Sequence, residues 1–570
     1  MKLYHDSRSL DCRAPFGAVR CGDIVRLRVY CQGRPRAVNA VITLNNQPYT
    51  IPLQPDGRDG YELRFAAPAT PRLLWYYFAA VMENGQTEYL GNARDGLGGV
   101  GETYASAPPS FQLTVYARDY APPAFLREGV MYQIFPDRFC RSRAPRYTRE
   151  DIYLHENWDE APLALFDPRN GDTHSRDFFG GDLQGIISKL DYLQSLHVTV
   201  LYLNPIFLAR SNHRYDTGDY TRIDPMLGTQ ADLTRLCEEA AKRGMRVLLD
   251  GVFNHCSEYH PFFEDVKRCG KASPYYDFFL INGDFPSREK GNYRTFGFSS
   301  DMPKLNTGNP AVIDYFCGVG AWWIREFGID GWRLDVMDEI SDDFLRAFRR
   351  AVKAASPDAL ILGEAWHDPR AWLAGDELDG VMNYGLTKAL IDYLADGALT
   401  ARQAASRLTR LFFRTTSISA RMMMNLLDSH DTDRFLTLLR GDRQRLKLAL
   451  CLLFFFPGMP CVYYGDEIGM TGGYDPDCRK GFIWDETAWD ADLRRHVQLL
   501  ARLKTGGRLA GDSVRISASG DVLTLEREEL TLLVNASSRA ARYCFRGREG
   551  QIAANGFVIL DADASIIKEE

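Results

Sequence analysis

Gly331-Trp332-Arg333-Leu334-Asp335-Val336 and Ala359-Leu360-Ile361-Leu362-Gly363-Glu364 are two short apolar runs, each carrying a carboxylate at or near its end. Between them Phe344, Leu345, Phe348 and Val352 recur at the spacing of one helical face. Continuous apolar runs of this length suit strands covered on both sides. A strand, an amphipathic helix and a second strand form the unit from which parallel sheets are built.

The alternation extends both ways. Further buried-strand candidates lie at 130–135, 198–204, 246–252, 380–383, 422–427 and 459–464, making eight with 331–336 and 359–363. Helical faces fall between them: Ile186, Ile187, Leu190, Leu193 and Leu196; Leu233, Leu236, Ala240 and Ala241; Phe316, Val319, Trp322, Trp323 and Phe327. Eight β/α repeats predict an α/β fold, a closed (β/α)8 TIM barrel over residues 123–506, with an open doubly wound sheet as the runner-up. After the third strand no barrel helix starts until Asn309-Pro310, so 256–309 reads as an inserted subdomain over the barrel mouth.

Residues 1–122 read as an N-terminal β-sandwich. Val25, Leu27 and Val29 alternate, and Leu73 to Val81 runs into an Asn84-Gly85 turn. Trp75, Tyr76 and Tyr77 either present a binding surface or fill the sandwich core. Residues 507–570 read as a small C-terminal β-domain, following a last barrel helix over 492–504.

The chain has 570 residues with a net charge of −7, from 68 basic and 75 acidic residues. That balance argues against nucleic acid as a partner. The longest apolar run, 448–458, is too short to span a bilayer. The start, Met1-Lys2-Leu3-Tyr4-His5-Asp6, lacks the apolar segment of a signal peptide, so a cytoplasmic location is expected. Twelve cysteines form no C-x-x-C pair and read as free, mostly buried thiols.

In a barrel, polar residues at the C-terminal strand ends share one mouth. Strand three ends Asp250-Gly251-Val252-Phe253-Asn254-His255, strand four at Arg333-Leu334-Asp335, strand five at Glu364-Ala365-Trp366-His367, and strand seven at Asp428-Ser429-His430-Asp431-Thr432. Any one of these is ordinarily a cap, a turn former or packing; their joint placement is what discriminates. Two carboxyl groups on neighbouring strands suit retaining glycosidic cleavage, which needs them about 5–5.5 Å apart. Asp335 reads as nucleophile and Glu364 as acid/base. Arg333, two residues before Asp335, faces the same side and is expected to hold it ionised. Asp431, His255 and His430 would bind sugar hydroxyls.

These motifs resemble glycoside hydrolase family 13, the α-amylase family, in its neopullulanase, cyclomaltodextrinase and maltogenic amylase branch. Met302-Pro303-Lys304-Leu305-Asn306, Tyr132 to Phe139 and Gly458 to Glu467 carry the likeness further. The resemblance implies Asp335 as nucleophile, Glu364 as acid/base and Asp431 as transition-state stabiliser. It implies Arg333, His255, His430 and Tyr215 around the cleaved sugar, Asp475 and Arg479 on the next sugar toward the non-reducing end, and Trp366 near the acceptor. It implies an α-glucan hydrolase cleaving α-1,4 bonds, with α-1,6 bonds open, in maltooligosaccharides, cyclodextrins, pullulan or starch, and a homodimer in which the N-terminal module covers the partner's active site.

The sequence departs from the family twice. The loop that holds calcium in some relatives is here Cys140-Arg141-Ser142-Arg143-Ala144-Pro145-Arg146, basic and poor in oxygen ligands, so no cofactor is expected to be required. Val336-Met337-Asp338-Glu339 replaces a segment that often reads Val-Ala-Asn-Glu, on the acceptor side. Three alternatives remain: a transglycosylase on the same site, an inactive amylase-like binding or scaffold protein, and a metal hydrolase built on His213, His255 and His430.

Overall fold

A computed structural model describes residues 2–33, 35–57, 60–142, 149–163, 166–167, 172–173, 175–511 and 513–570. Residues 143–146 of the basic loop after the first barrel strand lie outside the described residues. The chain divides into two compact units: Met1–Ala121 with Asp368–Leu378 and Thr409–Ala420, and Pro122–His367 with Asp379–Leu408 and Arg421–Glu570.

The first unit is built on two β-sheets. Val25, Leu27, Val29 and Cys31 of strand Ile24–Gln32 share the core face, as the alternation of a pleated strand requires, while Arg28 on the other face is also buried and paired with Asp11. The opposite sheet is centred on Arg72–Val81, which pairs with Ala37–Leu44, Thr87–Gly91 and Phe111–Tyr116. Tyr76 is a core residue, 1% exposed and stacked on Phe111, which answers for that ring the choice between binding and packing. Trp75 points the other way and is capped by Arg370, whose Nη1 also donates to Gln112 Oε1 at 2.6 Å.

The second unit carries eight parallel strands: β1 (Met131–Ile134), β2 (Val200–Leu203), β3 (Arg246–Gly251), β4 (Gly331–Leu334), β5 (Leu360–Gly363), β6 (Gly380–Val381), β7 (Met424–Asn425) and β8 (Met459–Tyr463). Their order is β6-β5-β4-β3-β2-β1-β8-β7, and a parallel bridge between Met382 and Met424 joins the two ends into a barrel. Met131, Val200, Tyr202, Leu248, Leu360, Leu362, Met424, Met459 and Cys461 belong to a buried apolar cluster of the barrel. Gly331 opens β4 at φ 153°, where an added Cβ would stand 2.1 Å from the Leu360 carbonyl oxygen, so only glycine lets β4 and β5 meet there.

The helices are stopped and started by short polar signals. Gln230–Lys242 begins with a Thr229/Asp232 capping box. Pro310–Phe327 is capped by Asn309 and ends at left-handed Gly328. The segment between β3 and that helix contains helix Pro261–Cys269 and isolated bridges such as Phe279–Leu305 and Thr295–Pro303. The C-terminal strands form a five-stranded sheet with a separate hairpin. No described helix is long and apolar enough to cross a membrane.

Candidate active site

Strand geometry delivers the acids. The Asp335 N–H donates to the Gly251 carbonyl at 3.1 Å and the Glu364 N–H to the Leu334 carbonyl at 2.9 Å, so the β-ladder continues one step past β4 and β5 and fixes both residues. Arg333 and Asp335 share a face because strand side chains alternate. Arg333 is fully buried. Its Nη1 donates to Asp335 Oδ1 at 2.8 Å and to both Asp250 oxygens at 3.0 and 3.1 Å, and Nη2 makes an ionic contact of 2.8 Å with Glu364 Oε2. The two carboxylates assigned to chemistry thus touch different nitrogens of one planar guanidinium.

Glu364 is held from two further directions. Its Oε2 accepts from the Val336 N–H at 3.0 Å and its Oε1 from Trp366 Nε1 at 3.0 Å. Val336, β-branched, sits at φ 44°, a conformation costly for such a residue, so backbone strain lies where Glu364 is anchored. Trp366 stacks on Tyr384 at 3.7 Å between ring centroids and remains 53% exposed, leaving its other face open.

Opposite lies a histidine network. Gln133 Nε2 donates to His430 Nδ1 at 2.9 Å, which leaves the ring proton on Nε2. His430 Nε2 is 2.6 Å from the Tyr215 hydroxyl and 3.0 Å from Asp431 Oδ2. The Tyr215 hydroxyl donates to Asp250 Oδ2 at 3.0 Å, and Tyr202 does so at 2.7 Å. Burial first, then the charges of Arg479 and Arg333, hold His430 well below the usual histidine value, so it stays neutral. His255 is pushed down to about 3 by burial and by Lys304; its Nε2 has no hydrogen-bond partner among the described residues, and it stacks on Phe296. His213 Nδ1 is taken up by the Ser211 hydroxyl and the Tyr215 N–H, both at 3.0 Å. Among the described residues no three of His, Cys, Asp and Glu come together as a metal site needs, His213, His255 and His430 included.

Arg479 ties the donor side together. Its Nε donates to the His430 carbonyl at 2.8 Å, Nη2 to Asp431 Oδ1 at 3.2 Å, and Nη1 lies 2.8 Å from Asp475 Oδ1. Asp475 is raised to about 6, by burial and then by Asp431, against the pull of Arg479. All of this borders a cavity of about 1230 Å³ lined by Tyr215, His255, Asp335, Glu364, Trp366, Asp431, Asp475 and Arg479. Arg333 and His430 lie behind that wall, bonded to residues that form it.

One electrostatic expectation is corrected. Arg333 does not by itself hold Asp335 in the ionised form: burial pushes Asp335 well above the ordinary carboxylate range, Glu364 and Asp250 add to this, and Arg333 opposes it. One guanidinium serves three carboxylates, so its charge is divided. Gln133, Tyr202 and Tyr384 were not singled out from the sequence as site residues. Their only signal was position within or just after a barrel strand. Met337 is buried, Asp338 lines the cavity 3.3 Å from His367 Nδ1, and Glu339 Oε2 takes Lys304 Nζ at 2.6 Å.

A family model described as the α-amylase catalytic domain matches residues 133–507, from β1 past the last barrel helix. The chain belongs to the α-amylase family. By that membership it is a glycoside hydrolase. It is 44% identical over 430 residues, 74% of this chain and 70% of the relative, to a cyclomaltodextrinase of Geobacillus thermopakistaniensis (strain MAS1). An intracellular maltogenic amylase of Bacillus subtilis (strain 168) is 42% identical over 394 residues, 69% of this chain and 64% of that one. Among solved structures, the type III pullulan hydrolase from Thermococcus kodakarensis superposes with a TM-score of 0.72 at 30% identity, covering 98% of this chain and 100% of its own. The barrel, its flanking β-regions and the branch expected from the motifs all agree with these relatives.

Proposed function

We propose that this α-amylase-family enzyme cleaves α-glucosidic bonds with retention of configuration, with Asp335 as nucleophile, Glu364 as acid/base and Asp431 as stabiliser of the oxocarbenium-like state. The observation that carries this is the single guanidinium of Arg333 contacting both Asp335 and Glu364 at the cavity floor. Carboxyl groups bonded to two nitrogens of one guanidinium lie close together, as a retaining mechanism requires.

Asp335 Oδ2, the oxygen not bonded to Arg333, attacks the anomeric carbon as the glycosidic C–O bond breaks. Glu364 gives its proton to the departing oxygen. In the second half Glu364 takes a proton from water, whose oxygen displaces Asp335 from the anomeric carbon and frees the sugar with its original configuration. The unpartnered His255 Nε2 faces a hydroxyl of the same sugar, Tyr215 lies against its ring, and His430 Nε2 holds Tyr215 and Asp431 from behind the wall. Asp475, whose Oδ1 makes no aligned hydrogen bond, and Arg479 grip the next sugar on the donor side. Trp366 offers its open face to the acceptor side.

The names of the relatives support cyclodextrins, pullulan and maltooligosaccharides as substrates, with α-1,4 bonds cleaved and α-1,6 bonds within reach. The intracellular relative supports a cytoplasmic location, and family likeness supports a homodimer; a monomer by size-exclusion chromatography would overturn the latter. The test of function is a product profile on cyclodextrin, pullulan and soluble starch, with Asp335→Asn as the blank. Maltose, panose-type trisaccharides or glucose are expected from the wild type, and a loss of about 10³-fold or more in the variant. A few-fold loss would refute the nucleophile. Products longer than the substrate would shift the reading from hydrolysis to transfer, and no activity on any α-glucan would leave a binding protein.

A further inference from the structure

Tyr474 precedes Asp475, lines the same cavity, and is 65% exposed. The mechanism above does not use it. Its backbone is braced: the Gly473 N–H donates to Asp477 Oδ2 at 2.6 Å, the Asp477 N–H donates to the Tyr474 carbonyl at 3.0 Å, and Asp477 pairs with Lys480 at 2.9 Å. Its ring and hydroxyl, by contrast, have no aromatic or hydrogen-bonding partner among the described residues. At that exposure the ring contributes little apolar burial to the fold. Tyr474 shares the cavity lining with Asp431, Asp475 and Arg479, which places it beside the donor-side grip.

Resting on the α-glucan reading above, we propose that Tyr474 stacks on the sugar that Asp475 and Arg479 hold by its hydroxyls, so that the enzyme selects chains with two or more glucose units on the donor side. A pyranose has hydroxyls at its rim and C–H groups on its faces. A carboxylate and a guanidinium take the rim, and an aromatic plane on the adjacent residue takes a face. Both are delivered by one braced loop, which keeps their spacing fixed.

The experiment compares nitrophenol release from p-nitrophenyl α-maltoside, which places two glucose units on the donor side, with release from p-nitrophenyl α-glucoside, which places one. Tyr474→Ala should lower kcat/KM on the maltoside by about three- to tenfold, through KM with kcat within about twofold, and leave the glucoside unchanged. Tyr474→Phe should retain the wild-type preference, since stacking needs the ring and not the hydroxyl. An unchanged melting temperature excludes a folding defect, as expected for an exposed ring. A maltoside-to-glucoside ratio unaltered in Tyr474→Ala, or an equal loss on both substrates, overturns the proposal while leaving the α-glucan reading intact. A wild type inert on every α-glucan defeats that reading, and the role of Tyr474 with it.

Discussion

Asp475 should make donor-side binding depend on pH, and Asp475→Asn should remove that dependence. Its side chain is 15% exposed and 2.8 Å from Arg479, yet burial and the neighbouring Asp431 raise it to about 6. A carboxyl of that pKa is roughly 90% ionised at pH 7 and roughly 90% protonated at pH 5. A hydrogen bond from a sugar hydroxyl to a charged acceptor is worth about 1.5–3 kcal/mol, or about 10- to 100-fold in binding. About a tenth of the molecules still carry the charge at pH 5, so the loss from titration alone is capped near tenfold. The wild-type to Asp475→Asn ratio of kcat/KM on maltotriose should therefore be about 10–100 at pH 7 and fall up to about tenfold by pH 5. Taking the ratio cancels the acid limb that Asp335 imposes on both proteins, and initial rates from pH 5 to 8 suffice. A ratio independent of pH, or one that grows toward acid, would refute the reasoning.

Two further outcomes follow from buried charge. Arg333→Lys should cost about 3–5 kcal/mol of stability, because an ammonium cannot reach Asp250, Asp335 and Glu364 together. The loss in urea titrations should be larger at pH 8 than at pH 5, where the raised Asp335 and Asp250 are closer to taking protons; equal losses would count against the shared-cation picture. Lys504 is 3% exposed, donates to the Gly458 carbonyl at 3.0 Å, and is pushed down to about 7 by burial and by Arg527. Between pH 7 and 10.5 the unfolded chain binds the proton that the native state has lost, so the contribution of Lys504 rises with pH. Lys504→Met should accordingly stabilise the protein by on the order of 4 kcal/mol at pH 6 and progressively less toward pH 10, and a constant difference would disprove it.

How much of this was legible in sequence differs by element. Strand ends were, because a parallel strand buried on both faces is a compact apolar run and its C-terminal edge is where polar residues return. Runs 380–383 and 422–427 promised longer strands than the two residues each that pair as β6 and β7; their apolar character continues into turns packed on the core, so hydrophobicity overstates the ladder. The apolar run 448–458 belongs largely to helix Arg443–Phe455, whose residues from Leu446 to Phe455 are all buried, between β8, the neighbouring helix Ala491–Thr505 and the C-terminal sheet, so no periodic polar face marks it as a helix. Segments Asp368–Leu378 and Thr409–Ala420 carry no sequence mark of joining the N-terminal sandwich, where the Ala117 N–H donates to the Ala374 carbonyl at 2.8 Å. Such pairings, like Gln133 with His430, link residues far apart in the chain, where no local period can reveal them.

The sharing of Arg333 explains why the catalytic acids and the fold around them are set together. An unpaired carboxylate in so buried a place would take up a proton, and three would do so more readily. One cation cannot neutralise all three, so Asp335 is held above its usual range even with Arg333 at 2.8 Å. Asp250 is the carboxylate without an assigned chemical step, and it accepts from two further donors, Tyr202 at 2.7 Å and Tyr215 at 3.0 Å. Those phenols reduce its demand on the guanidinium and leave more of that charge for Asp335 and Glu364. Tyr215 in turn rests on His430, whose tautomer is set by Gln133 from β1. The surroundings of Asp335 are therefore set by residues from strands one, two, three and four and the loops beyond them, which a closed barrel brings within hydrogen-bond reach and an open sheet would not.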